Sequence, residues 1–285
     1  MPVLAIPNIS AGTAGPELDG ATTAVETAGA RLLDVHSDAI HNRSVLTTSA
    51  GPEALMVAMV GLAIACRAID LTKHRGIHPR VGALDVCPFV PHEVPIEDAI
   101  AIAHRAGRAI ADEVGVPVFF YGAASTRAET KDLPDIRRGG IEGLSLRMAQ
   151  GFQPDAGPSR IDPRYGAVLV GARGTLIAFN VWLDTALPTA QAIATKVREP
   201  HRIRALGLGI EPDRCQVSMN LIAPDEVGIE EAFHRVEIEA SRRGANVVAT
   251  EIVGVVPERF LPKQDAKAAR LLLEPGRSLE SALRD

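Results

Sequence analysis

The chain has 285 residues and a mass of 30.2 kDa, long enough for two domains at roughly 100–200 residues each. A hydrophobic fraction of 46%, with 23% charged residues spread from end to end, excludes the disordered, collagen-like and coiled-coil classes. Thirty Lys and Arg against 35 Asp and Glu leave a net charge of −5, which excludes a non-specific nucleic-acid binder and leaves any anionic ligand to local arginines.

In chain order, Val3 to Ile6 reads as a short strand stopped by Pro7-Asn8, Pro16 to Ala28 as a helix, and Leu32 to Val35 as a second strand. Arg43 to Thr48 is a partner strand closed by Gly51-Pro52, and Glu53 to Ile69, apolar almost all round, is a buried helix. Ala83 to Val90 is a further strand. Pro95 stands where a first helical turn tolerates it, Glu97 and Asp98 lie beside the positive end of the dipole, and Ile96, Ile100, Ala103, Gly107, Ile110 and Val114 recur at helical spacing before Gly115. Val118 to Tyr121 is a β-branched and aromatic strand. Residues 123 to 166, polar and rich in arginine, glycine and proline, predict a long surface excursion with one helix near Ile141 to Ala149.

From residue 167 the pattern restarts. Ala167 to Gly171, Thr175 to Leu183 and Ile203 to Ile210 read as strands, with a helix from Pro188 through Val197. Gln216 to Ile222 alternates Val217, Met219 and Leu221 against Gln216, Ser218 and Asn220, a strand with two unlike faces. Ile229, Ala232, Phe233, Val236 and Ala240 form a helical stripe ended by Gly244, and Val247 to Val256 is a last strand. The expected fold is α/β (α+β): two ferredoxin-like β-α-β-β-α-β subdomains, residues 1–178 and 179–285, with a ligand groove between them.

Three cysteines, Cys66, Cys87 and Cys215, are odd in number and lack CxxC spacing, so neither a disulfide framework nor a structural zinc site is predicted. Met1-Pro2-Val3-Leu4 has no basic leader region, and the longest apolar run, Ala54 to Cys66, is too short for a bilayer. The chain therefore reads as a soluble, cytoplasmic protein without a membrane partner. There is no GxxxxGK[ST] loop, strand-borne GxGxxG or GxSxG elbow, and 4% aromatics argue against single-stranded RNA as a ligand.

Chemistry concentrates in two short segments. The first, Asp34 to Arg43, carries His36, Asp38 and His41; the second, His74 to Arg80, carries His74, Arg75, His78 and Arg80 around Gly76 and Pro79. Imidazoles, carboxylates and guanidinium groups beside Gly and Pro suit a site better than a core, and His78 is the leading candidate. His92 and His104 read as solvated, and Asp34 equally as a structural acceptor or a catalytic group. His74 and His78 have the i,i+4 spacing of a zinc helix, but Gly76 and Pro79 argue against that helix, and the expectation is no metal.

The run His78-Pro79-Arg80-Val81-Gly82-Ala83-Leu84-Asp85-Val86-Cys87-Pro88-Phe89 resembles the glutamate formimidoyltransferase family. So do Ile6-Pro7-Asn8-Ile9-Ser10, Asn42-Arg43, Gly157-Pro158-Ser159, Gly166-Ala167, Gly171-Ala172-Arg173, Leu176 to Asn180 and Val217 to Leu221. The resemblance implies transfer of a formimidoyl group from N-formimidoyl-L-glutamate to N5 of tetrahydrofolate, as co-substrate, by a homodimer. It implies His78 as acid/base and the loop Gly157 to Gly166 in the folate site. A cyclodeaminase, fused in animal members, is expected on a separate protein. Against the animal pattern, Ile77 stands for a glutamate, His36 for an aspartate, Tyr165 for a tryptophan and Arg160 for a phenylalanine. His36 and Asp38 are therefore further catalytic candidates. Binding candidates are Arg43, Arg80, Asp85, Gly157, Pro158, Ser159, Arg164, Tyr165, Gly166, Arg173 and Asn180.

The chemistry agrees with these residue types. Attack of a secondary amine on an amidine carbon needs one proton removed and one delivered, which one histidine can do in sequence. A protonated formimidoyl group calls for a carboxylate, Asp34, Asp38 or Asp85, and the glutamate carboxylates of both substrates suit Arg43, Arg80, Arg164 and Arg173. The alternatives are a metal-dependent hydrolase built on the His/Asp cluster and a non-catalytic folate-binding module.

Overall fold

In the computed structural model, which describes residues 3–211 and 213–284, β1 (Val3–Ala5) and β2 (Asn8–Ile9) are two pieces of one strand position. Pro7 interrupts them because it has no N–H to give the ladder. Its carbonyl oxygen still accepts from the Leu46 amide at 2.9 Å, so the chain stays in the sheet and β2 continues beyond the predicted stop. α1 (Pro16–Thr27), β3 (Arg31–Asp38), β4 (Arg43–Ala50), α2 (Pro52–Ala65), β5 (Leu84–Pro91), α3 (Ile96–Val114) and β6 (Val118–Gly122) follow. Next come α4 (Leu133–Arg137), α5 (Gly140–Ala149) and β7 (Val168–Ala172).

These elements form one compact unit, Met1–Gly174. β3 pairs β4, β4 pairs both β1 and β2, and these pair β5, all antiparallel; β7 and then β6 extend the sheet in parallel. The β-α-β-β-α-β order is thus followed by three further helices and two parallel strands, in the order α3, β6, α4, α5, β7. α1, α2 and α3 bury Val25, Met59, Leu62, Ile102 and Ile110 against Ile9, Leu46, Phe89, Val118 and Phe120 of the sheet.

The excursion over 123–166 is not confined to the surface. Phe119, Tyr121, Val86 and Leu169 point to the sheet face away from α1–α3, where Ile136 of α4 and Leu144 and Met148 of α5 cover them. Parallel strands are apolar on both faces and need this second layer. Sequence periodicity misses α4 because it is five residues long and displays one buried apolar residue, Ile136.

The second compact unit is Thr175–Asp285. It comprises β8 (Ile177–Leu183), α6 (Leu187–Val197), β9 (Ile203–Glu211), β10 (Arg214–Leu221), α7 (Ile229–Ser241) and β11 (Val247–Val253), then α8 (Lys267–Arg270) and α9 (Leu279–Arg284). Its sheet has the order β11-β8-β10-β9, antiparallel throughout. One face, with Phe179, Val181, Val217 and Met219, packs against Ile193, Val197, Ala232 and Phe233 of the two long helices. The last strand ends at Val253, and Val256 instead bridges to Ser278. Among the described residues no helix is long and apolar enough to cross a membrane.

Candidate active site

Asp85, near the start of β5, is the electrostatic centre of the first unit. Its carboxylate is fully buried, accepts from Arg43 Nη1 at 2.7 Å and from the Val81 amide at 2.8 Å, and is bonded by Arg137 Nη2 at the end of α4. Arg43 Nε also donates to Asn8 Oδ1 at 3.1 Å. Burial alone would raise the Asp85 carboxyl, but the Arg137 and Arg43 guanidiniums, with the Val81 amide, pull it down to about 2. Two arginines on one carboxylate leave the cluster net positive. Both arginines hold the Asp85 carboxylate, and its charge in turn holds them together.

The His74–Arg80 segment is irregular and is held against the β3–β4 turn by Asn42. Asn42 adopts a left-handed φ of 47°. Its Oδ1 accepts from the Gly12 amide at 2.9 Å, its Nδ2 donates to the Arg75 carbonyl at 2.9 Å, and its own carbonyl accepts from His74 Nε2 at 2.8 Å. Two glycines allow this approach: a Cβ on Gly12 would sit 2.0 Å from the Asp38 carbonyl oxygen, and one on Gly76 2.4 Å from that of His41.

His78 stands in this loop, half-buried, with its ring 5.9 Å from that of His41. Its Nδ1 lies 2.8 Å from the Pro79 carbonyl oxygen. A carbonyl can only accept, so Nδ1 carries the proton, and in the neutral ring Nε2 is the basic atom. Burial, then the charges of Arg43 and Arg137, lower the His78 pKa well below the ordinary imidazole value. At neutral pH it is a base. His74 is also lowered, first by burial, and its Nε2 proton is spent on Asn42. It is a clip between loops.

Asp34, His36 and Asp38 fall on one face of β3, opposite Thr47, Val45 and Arg43 of β4. Asp38 Oδ1 accepts from the amides of Ile40 and His41, both at 2.8 Å, which shapes the turn, while Oδ2 lies 3.7 Å from His41 Nδ1. Asp38 therefore stands next to His41, which faces His78. His36 is half-buried in mid-strand.

The end of the Gly157–Gly166 loop is tied to the chain on either side of the His74–Arg80 segment. The Arg164 carbonyl accepts from the Leu71 amide at 2.9 Å, the Tyr165 carbonyl from Ala83 at 2.7 Å, and Arg164 Nε lies 3.6 Å from Asp70. Gly157, Pro158, Ser159 and Arg164 are exposed, and Gly166 bridges to Gly82. Tyr165 is buried, and its hydroxyl donates to the Ala63 carbonyl at 2.8 Å. Arg80 Nη2 donates to the His74 carbonyl at 3.2 Å while its Nε is buried without a partner. Arg173 Nη1 donates to the Gly174 carbonyl at 3.0 Å. Asn180 belongs to the second unit, where its Nδ2 donates to Glu251 Oε2 at 2.8 Å.

Sequence reasoning missed Arg137, whose only signal is its place in an arginine-rich excursion. Among the described residues no group of three or more His, Cys, Asp or Glu side chains is arranged to hold a metal ion. All three cysteines are free and buried, and burial pushes their thiols up, away from the nucleophilic thiolate.

Residues 2–173 match the formiminotransferase domain, N-terminal subdomain, and residues 178–269 match the formiminotransferase domain. The chain is 38% identical to a glutamate formimidoyltransferase of Streptococcus pyogenes serotype M1, over 90% of this chain and 89% of that one. It is 35% identical to a glutamate formimidoyltransferase of Thermoplasma acidophilum, over 90% and 88%. A formimidoyltransferase-cyclodeaminase of Dictyostelium discoideum is 39% identical over 88% of this chain, which spans half the length of that relative.

Proposed function

The chain belongs to the formiminotransferase family, and on that premise we propose that it transfers a formimidoyl group from N-formimidoyl-L-glutamate to N5 of tetrahydrofolate. The observation that carries the chemistry is the His78 hydrogen bond to Pro79, which orients Nε2 as the basic atom. As N5 attacks the amidine carbon, Nε2 takes the N5 proton and the new C–N bond forms. The resulting imidazolium returns that proton to the glutamate nitrogen as the old C–N bond breaks, and His78 is neutral again. Low basicity at His78 favours both the waiting base and the prompt donor.

Around this atom the first unit supplies charges of both signs. Arg80, with a buried unpartnered Nε, and the net positive Arg43–Asp85–Arg137 cluster favour the glutamate carboxylates of the donor. Asp38 beside His41, with His36 on the same strand face, is the carboxylate placed for the cationic formimidoyl group. Asp85 is not, because its oxygens serve Arg43, Arg137 and Val81. The exposed residues Gly157, Pro158 and Ser159, with Arg164, form the folate loop in this reading, supported by the bonds of Arg164 and Tyr165 to Leu71 and Ala83 on either side of the His78 segment. The reading extends to a cytoplasmic homodimer, with the family resemblance as its support.

The test incubates purified protein with tetrahydrofolate and N-formimidoylglutamate, with and without a chelator, and follows formimidoyltetrahydrofolate and free glutamate. Equal amounts of both products at a rate indifferent to chelator are expected. A rate that collapses with chelator and recovers with zinc points to a hydrolase, and folate binding without turnover points to a non-catalytic module.

A further inference from the structure

The helix layer of the first unit carries a surface that the acid/base chemistry does not use. α2 lies between α1 and α3, and Leu55, Met59 and Leu62 on its inner side are fully buried in the core. A helix so placed ordinarily turns a polar stripe to solvent. From Ala54 to Ala65, however, α2 has no charged or polar side chain. Val57, Val60 and Ile64 follow one another at helical spacing on the outer side, and Val57 and Ile64 are 53% and 45% exposed. One exposed valine is ordinary; a charge-free stripe of three β-branched side chains marks a surface that another molecule covers.

Charge at the two ends of the stripe identifies that molecule. Glu53 stands four residues before Val57, and Arg67, just past the helix, three residues after Ile64; both are exposed. Glu53 Oε2 accepts from Arg105 Nη2 at 2.7 Å, and Arg67 Nη2 donates to the Val114 carbonyl at 2.7 Å. A carboxylate with two oxygens and a guanidinium with five N–H groups each have room for a second partner. An acid at one end, a base at the other and an apolar middle make a strip that is complementary to itself when reversed. About a two-fold axis at Val60, reversal sets Glu53 against the partner subunit's Arg67 and Val57 against the partner's Ile64, each twice. Parallel copies would instead oppose Glu53 to the partner's Glu53. The same axis suits α3, which runs beside α2 in the same direction, since Arg105 meets the start of α2 and Val114 its end. The axis then passes near Ile110 and brings Arg108 toward the partner's Asp112, both exposed.

We infer that the outer face of α2, flanked by α1 and α3, is the contact surface of a two-fold homodimer in which α2 lies antiparallel to its counterpart. Three helices side by side, about 10 Å apart and roughly 20 Å long, present about 600 Å² in projection. That is comparable to the ~800 Å² of accessible surface per partner that a stable interface buries. The inference rests on the homodimer of the reading above, gives it a surface, and is independent of the chemistry.

The test measures the mass of the full chain by sedimentation across protein concentrations. A species of twice 30.2 kDa is expected at micromolar concentration. Val57→Glu and Ile64→Glu each place a carboxylate in the stripe on both copies and should raise the dimer Kd about a hundredfold or more. The far-ultraviolet spectrum should be kept, because both positions face solvent in the single chain. Val57→Cys with Ile64→Cys in one chain tests the direction. Within a chain the two positions are two turns apart, about 10 Å along the helix, too far for a disulfide. Mild oxidation should therefore link two copies through the pair, and either cysteine alone should not link, because each lies about 10 Å from its own equivalent across the axis. The cysteine pair also answers the question if a glutamate unfolds the chain. A monomeric wild type overturns the inference, as does a dimer that both glutamates leave intact, in which case the homodimer reading stands with another surface. A monomer that binds phosphatidylglycerol vesicles, and loses them on Ile64→Glu, would assign the stripe to a membrane surface instead. Single cysteines that cross-link would contradict the antiparallel arrangement. Formimidoyl transfer is assayed on the same samples: a dimer of this kind without transfer leaves the surface standing and overturns the chemistry.

Discussion

The Nδ1–H of His78 donates to the carbonyl oxygen of Pro79 at 2.8 Å, so the residue next in the chain sets which nitrogen of the imidazole is basic. Burial and the Arg43 and Arg137 charges lower the His78 pKa well below its ordinary value of about 6.5. The neutral form is the base. The acid limb of kcat/KM against pH should therefore lie below about 6.5, with the rate flat from there through neutrality. An acid limb at or above that value would contradict the electrostatic assignment.

Asp85 supplies a stability prediction. Asp85→Asn leaves Arg43 and Arg137 close together without their carboxylate, and should cost about 3–5 kcal/mol in urea unfolding at neutral pH. The folded carboxyl is held near 2, below an unfolded value of about 3.9. Its contribution is present above about 4 and is lost as the pH falls toward 2, so the gap between variant and wild type should narrow over that window. A gap that persists unchanged at acid pH would assign the loss to packing.

Much of the fold and part of the site are legible in the chain itself, for physical reasons that differ by element. Strong periodicity and end signals define α3, where Pro95 opens the helix and Gly115 closes it in a left-handed conformation. The alternation over Gln216 to Leu221 shows two faces, one of which packs on helices. By contrast, α4 is too short for periodicity to reveal, and β2 lies beyond a proline that reads as a stop. His78 stands out because glycine, proline and arginine surround it. Arg137 does not, because it gains meaning only from a residue distant in sequence, Asp85. That Tyr165 is buried beside an exposed Arg164 is likewise a property of the fold.

Gly76 tests the loop geometry. Gly76→Ala places a methyl group 2.4 Å from the His41 carbonyl oxygen and 2.9 Å from Asn42 Cβ, so the segment carrying His78 must shift off the β3–β4 turn. Urea unfolding should show a loss of about 1–3 kcal/mol, accompanied by a lower kcat. A variant with unchanged stability and turnover would show that the approach is dispensable.

The Gly157–Gly166 loop is open to proteolysis. Arg160 and Arg164 are exposed in the Gly157–Gly166 segment, so trypsin should cut there in the free protein. Saturating tetrahydrofolate should slow both cuts, and cleavage that continues at the same rate would remove this loop from the binding site.

The central claim is that His78 moves the proton. His78→Gln keeps a polar side chain but cannot exchange a proton at neutral pH, so kcat should fall by roughly 10²–10⁴ while tetrahydrofolate affinity changes little. His74→Gln and His104→Gln, whose rings are bonded to the Asn42 and Ala124 carbonyls, serve as controls for structural histidines. A well-folded His78→Gln protein that retains near-normal kcat would contradict the account and turn attention to His36.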